Sequence, residues 1–169
     1  ILAQAEKDNY DLIVLPEVAF PGDAFFAQFD LDDVVKQLGL DSTRIPAMVH
    51  PLARKDKEQW KVSHSWIAQA LSNHYRSELV IGLVARDYFS GNTHNSAFHF
   101  LPFKKVAYKY DKRILVPMAE YLPFPTMESF LARYGVNQFF THGDEVVVFE
   151  GKVKMAPSIC YEEGFSHLI

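Results

Sequence analysis

The chain has 169 residues, 49% hydrophobic and 14% aromatic, which is enough apolar material for the core of one ordinary domain. Its 17 basic and 21 acidic residues leave a net charge of −4, and that excludes the basic footprint of a nucleic-acid binder. The single cysteine excludes an internal disulfide framework and a Cys-rich zinc site, and no apolar run approaches the roughly 18–20 residues that span a bilayer.

In chain order, residues 1–9 read as the end of a helix, so the chain is expected to be a piece of a longer protein. "DLIVLPE" (11–17) is a short continuous apolar run, expected to form a strand buried on both faces. Pro16 has no N–H and stops the ladder, which leaves Glu17 at the strand's C-terminal end. Residues 30–39 suit a short helix. Residues 41–61 are charged and poor in pattern, with Pro46 and Pro51, and read as a long loop or insertion. Ser63 is a plausible N-cap for a helix over 63–78, where Trp66, Ile67, Ala70, Leu71 and His74 recur at helical spacing. "LVIGLVARD" (79–87) is a second buried strand.

"NSAFHFLP" and "KVAYKYDK" alternate and suggest a hairpin closed by a tight turn. "TMESFLARYG" reads as a short helix ended by Gly135. "EVVVFEGKVKMAPSICYEE" reads as a hairpin turning at Glu150–Gly151, with Cys160 at the exit of its second strand. Two helix–strand units plus hairpins suggest an α/β fold with a mixed sheet. Open α/β sheets gather functional groups beyond strand C-termini, where Glu17 and Cys160 are both expected.

A cysteine attacks as thiolate and needs a base or a positive neighbour. The seven histidines form no recognisable pattern with Cys160, so the alternative base is a carboxylate at another strand end, Glu17. Attack on a carbonyl also creates an oxyanion that needs a donor, and "YDKRILVPMAEYLPF" offers Lys112 in an apolar stretch with Asp111, Arg113 and Glu120. The bland alternatives are a packing cysteine, a solvated Glu17, an edge-strand Lys112–Arg113 pair and a surface Glu120. A "CYEE" exit is a poor core sequence, and this weighs against the first of these. His64 with His74, and His94 with His99, match no common metal spacing, so no metal and no cofactor is expected. Phe20, Phe25, Phe26 and Phe29 follow Glu17 and suit either packing or an acyl pocket.

"LPE", "YDKRILVPMAEYLPF" and "SICYEEGF" resemble the Glu, Lys and Cys blocks of the carbon–nitrogen hydrolase (nitrilase) superfamily. The long middle block, followed by "ICYE", is similar to the apolipoprotein N-acyltransferase branch of that superfamily, and the likeness extends through "GNTHNSAFHF". The resemblance implies a nitrilase-like α-β-β-α sandwich, with residues 1–169 an incomplete catalytic domain and membrane-spanning segments outside it. It implies Glu17 as general base, Lys112 as oxyanion-stabilising lysine and Cys160 as nucleophile, with Glu120, Tyr161 and Glu162 supporting. It further implies a phospholipid acyl donor, a diacylglyceryl lipoprotein acceptor and a place at the bacterial inner membrane, on its periplasmic side. Two positions depart from the pattern: Ala119 stands where Gly is common, and Asp111 where His is common. The alternatives are a soluble amidase of the same superfamily and a non-catalytic interaction module.

Overall fold

A computed structural model of the chain describes residues 9–124 and 139–165. The helices expected over 1–9 and over 126–135 fall outside the described residues, apart from Asn9. The central element is a four-stranded mixed sheet in the order β1 (Leu12–Val14), β5 (Glu78–Arg86), β6 (Thr93–Phe100), β7 (Tyr108–Asp111). β1 runs parallel to β5, and the other pairs are antiparallel. A smaller antiparallel sheet orders β2 (Phe29–Asp30), β4 (Gln59–Val62) and β3 (Ala53–Asp56). Helix α1 spans Leu31–Leu38 and ends at Gly39, whose φ of 60° is left-handed and easily held by glycine.

Helix α2 (His64–Tyr75) begins as its sequence predicts: the Ser63 side chain accepts the Trp66 N–H at 3.3 Å. It packs on β5 and β6, where Leu79, Ile81, Leu83, Ala85, Phe98 and Phe100 form one core with Trp66, Ile67 and Leu71. The helix is buried over most of its circumference, so its polar residues need partners. Gln69 donates to Asn73 and to the Leu101 carbonyl, both at 2.9 Å. Asn73 donates to the Arg44 carbonyl at 2.8 Å and accepts the Phe103 N–H at 2.7 Å. These bonds bring the segments around 44 and 101–103 onto the helix.

Three expectations need correction. Residues 41–61 are not an unstructured insertion, because β3 and most of β4 lie within them. Only Ala53 and Val62 of that hairpin are buried, so its outer positions carry charge and mask the strand pattern. β1 is three residues long and is buried at Ile13 alone; Val14 is 57% exposed because it faces a cavity rather than a second packed layer. β6 and β7 do pair, but residues 101–107 join them, so the link is no tight turn.

His64 is 3% exposed, lies between the rings of Phe20 and Phe29, and contacts the Asp23 carbonyl through Nδ1. Burial, partly opposed by the Asp23 carbonyl and carboxylate, holds its pKa below the ordinary 6.5. A histidine held neutral in this way contributes its full stability above the unfolded value near 6.5. That contribution is lost as pH falls towards the lower folded value, because the unfolded chain then takes up the proton. Urea unfolding is expected to show a smaller fall in stability between about pH 7.5 and pH 5 for His64→Gln than for the wild type. Equal falls would contradict this reading.

Candidate active site

Beyond β1 the chain continues along β5 without regular strand geometry. Leu15 donates to the Val80 carbonyl at 2.8 Å, Gly82 to the Pro16 carbonyl at 3.2 Å, and Ala19 to the Gly82 carbonyl at 2.9 Å. Between these bonds the backbone bulges at Glu17 and Val18, and Val18 has a φ of 46°, a strained value for a β-branched residue. The close approach depends on Gly82: a Cβ there would lie 2.5 Å from Glu17 Cα and 2.7 Å from Val18 N. Glu17 therefore owes its position to a residue on the neighbouring strand.

Lys112 follows β7 and is tied back to β6 by its N–H to the Asn95 carbonyl at 2.8 Å. The residue is 1% exposed. Its Nζ donates to Glu120 Oε1 at 2.9 Å and to Glu17 Oε1 at 3.4 Å. Asn95 Nδ2 donates to the same two carboxylates, to Glu120 at 2.9 Å and to Glu17 in a close contact. The second Glu120 oxygen accepts the Val116 N–H at 2.8 Å. Burial alone would raise the Glu120 pKa, but the bonds from Val116, Lys112 and Asn95 outweigh it and hold the carboxyl below its ordinary value. For Lys112 burial acts downward, and Glu120 and Glu17 together carry the ammonium above its ordinary value. Glu120's contribution to stability is thus lost only as pH falls through its lowered pKa, and that of Lys112 only as pH rises through its raised one.

Cys160 is reached by a hairpin of β8 (Phe149–Glu150) and β9 (Lys154–Met155). The second strand stops well short of the cysteine. Residues 156–159 are irregular, and Cys160 opens a 3-10 helix over Cys160–Gly164 with a φ of 51°. The expectation of a strand exit is corrected accordingly. Burial as a packing residue is also excluded, since the thiol-bearing residue is exposed.

Glu162 holds this turn. It is fully buried and accepts N–H groups from Arg113 at 2.6 Å, Ile114 at 3.0 Å and Ile159 at 2.8 Å, together with the Tyr110 hydroxyl at 2.8 Å. One carboxylate thereby joins the Lys112 segment to the Cys160 segment. Burial first, and then the bond to the Glu162 carboxylate, push the Tyr110 hydroxyl pKa well up and keep it a donor.

Glu17 and Cys160 line a common cavity of about 340 Å³, with Val14, Val80, Ala97 and Ser158 among its walls. Cys160 is hydrogen-bonded neither to Glu17 nor to Lys112. The structure thus brings Glu17, Lys112 and Glu120 into one network and sets Glu17 and Cys160 on the lining of one cavity. Tyr161 stands apart: it is 48% exposed, and its ring meets that of Phe165 at 5.0 Å. Phe20, Phe25 and Phe29 pack on His64 or Phe98, and only Phe26 is exposed, beneath the Arg54 guanidinium. Among the described residues no cluster suits a metal ion.

Sequence reasoning missed Asn95 and Gly82. Asn95 lies within "GNTHNSAFHF", whose alternation signals a strand but not which polar residue meets two carboxylates. Gly82 did leave a signal, as an isolated glycine in an apolar strand that marks close backbone approach.

A family model described as carbon-nitrogen hydrolase matches residues 1–169. The chain is 29% identical over 178 residues to an apolipoprotein N-acyltransferase of Chlamydia caviae, which covers 99% of this chain and 30% of the relative. It is 27% identical over 176 residues to the enzyme of the same name from Chlamydia trachomatis, with the same coverage. The chain therefore spans about 30% of the length of these curated relatives.

Among solved structures it superposes on Nit3 of Saccharomyces cerevisiae, a member of branch 10 of the nitrilase superfamily. The TM-score is 0.54 at 20% identity, over 98% of this chain and 48% of that one. It superposes on XC1258 of Xanthomonas campestris, a CN-hydrolase superfamily protein with an arsenic adduct in its active site, with a TM-score of 0.53 at 17% identity. That match covers 98% of this chain and 47% of the other. The α/β fold with its mixed sheet is that of the nitrilase superfamily.

Proposed function

The chain belongs to the carbon–nitrogen hydrolase family, and from that premise we propose that it is catalytic sequence of an apolipoprotein N-acyltransferase. It transfers an acyl chain from a phospholipid to the α-amino group of a diacylglyceryl-cysteine at a lipoprotein N-terminus. The observation that carries the reading is one lysine shared by two carboxylates beside a cavity that an exposed cysteine also lines.

In the first half-reaction Glu17 takes the thiol proton, and the Cys160 sulfur attacks the ester carbonyl carbon. The oxyanion falls to Lys112. An ammonium has three N–H donors, and Glu17 and Glu120 engage two, which leaves one for the oxyanion. The intermediate collapses, the C–O bond breaks, and the leaving alkoxide takes the proton from Glu17 and departs as lysophospholipid. In the second half the acceptor amine attacks the thioester carbon and gives a proton to Glu17. The C–S bond breaks, and the thiolate recovers that proton.

Glu120, bonded to Lys112 and Val116, orients the lysine. Glu162 sets the turn that carries Cys160, and Tyr161 supports from the outside. No cofactor takes part. The membrane-spanning part belongs outside residues 1–169, and the catalytic domain stands on the periplasmic side of the bacterial inner membrane.

Storing the acyl group as a thioester separates the halves and predicts ping-pong kinetics. In the full-length enzyme, lysophospholipid is expected to appear in a burst without acceptor, and double-reciprocal plots are expected to be parallel. Intersecting plots with no burst would contradict the thioester route. Release of free fatty acid with no amide product would point to a hydrolase instead.

A further inference from the structure

Val80, Gly82 and Ala97 floor the cavity from alternate positions of β5 and β6, and beyond them on the same sheet face lies a buried polar pair that the mechanism leaves unused. Gly82 and Asn95 lie under Glu17, Val80 and Ala97 line the middle, and Glu78 and His99 come last on the same face. Glu78 is 5% and His99 0% exposed, and His99 Nε2 lies 3.0 Å from Glu78 Oε2. The His99 ring clusters with Tyr108 at 5.8 Å and Phe149 at 5.4 Å, and those two rings also meet each other at 6.2 Å. Among the described residues its Nδ1 meets no hydrogen-bond partner, so the ring fits as a donor through Nε2.

The other Glu78 oxygen accepts the Lys152 N–H at 2.6 Å, at the turn of the β8–β9 hairpin. Gly151 lies flat against that carboxylate, and a Cβ there would overlap it. The Lys152 ammonium also pairs with Asp11, at the start of the β1 segment.

We propose that Glu78 and His99 are positioning residues for Cys160, a clamp on the hairpin that delivers the cysteine to the cavity. The inference rests on the reading of Cys160 as nucleophile. Residues 155–159 form one wall of the cavity, and the segment is held at two points. Glu162 binds the Ile159 N–H at the cysteine end, and Glu78 binds the Lys152 N–H at the hairpin end.

A buried polar pair gives little net stability over an apolar pair of the same volume, but it fixes one arrangement where an apolar contact would allow sliding. The hairpin needs such fixing. Its strands are two residues each, so its own ladder is too short to define its place on the sheet.

Three substitutions in the full-length enzyme attack the clamp from different sides. Glu78→Gln replaces the charge, His99→Gln removes the ring donor, and Gly151→Ala forces the turn off the carboxylate. For each, kcat, KM and the melting temperature are measured, with the rate of Cys160 alkylation by iodoacetamide from about pH 5 to pH 10. Glu17→Gln is the control.

The clamp predicts kcat lower by about tenfold or more with KM within about twofold, since misplacing a reacting group by ~1 Å costs up to a hundredfold. It also predicts that the alkylation midpoint moves in the same direction as in Glu17→Gln. Folded clamp variants with wild-type kcat and midpoint would overturn it. So would a kcat loss that only tracks the unfolded fraction while the midpoint stays fixed. If Glu17→Gln leaves the midpoint unmoved while the clamp variants still lose kcat, the base assignment fails and the clamp stands.

Discussion

Cys160→Ser is expected to abolish acyl transfer, with turnover falling on the order of a thousandfold or more and the fold unchanged. The fold survives because Cys160 is exposed and belongs to no packed core, so loss of its sulfur opens no cavity. Activity does not survive because a serine hydroxyl has a far higher pKa than a thiol, and a carboxylate base activates it poorly. Cys160 also holds a left-handed φ of 51°, a conformation that costs energy in any residue but glycine and is tolerated where it serves a site. Matching melting curves, with acyl transfer lost only in the variant, would bear this out. Near-normal turnover by the serine variant would remove Cys160 as nucleophile.

Lys112→Met is expected to lower kcat by about a hundredfold or more, equivalent to about 3 kcal/mol of transition-state stabilisation, and to change KM little. Methionine has a similar length and suits the lysine's buried position, but it offers no proton to an oxyanion. It also leaves Glu17 and Glu120 facing each other with Asn95 alone between them. Two carboxylates without their shared cation resist joint ionisation, so the acid limb of the pH–rate profile is expected to move to higher pH. Steady-state kinetics across pH measure both effects. A change confined to KM would assign Lys112 to substrate binding instead.

How much of this was legible beforehand varied with the physics behind each element. Strand β5 and helix α2 announced themselves, because burial writes its period into the sequence and Ser63 marks where the helix begins. The β3–β4 hairpin did not, since a strand buried only at Ala53 and Val62 has no alternation to read. Its turn carries a left-handed φ of 54° at Lys57, where no glycine or asparagine flags it.

At the site, Glu17, Lys112 and Glu120 were nameable because a strand end and a charged group in an apolar stretch are local features. What connects them was not. Asn95 reaches both carboxylates from another strand, and Gly82 matters through the backbone it admits. Glu162 was expected only as support beside the cysteine, yet its carboxylate joins Tyr110, Arg113, Ile114 and Ile159 across about fifty residues of sequence. Such roles exist only after folding, and no spacing rule encodes them.

An acyl group held on Cys160 between two half-reactions is visible to intact-protein mass spectrometry. The full-length enzyme is incubated with a phospholipid of one defined acyl chain, without acceptor, and quenched in acid. A mass gain equal to that acyl group, mapped to the peptide containing Cys160, is expected. The gain should be removed by neutral hydroxylamine, discharged by a diacylglyceryl-cysteine peptide, and absent from Cys160→Ser. An enzyme that turns over with no adduct, or with an adduct on another residue, would contradict it.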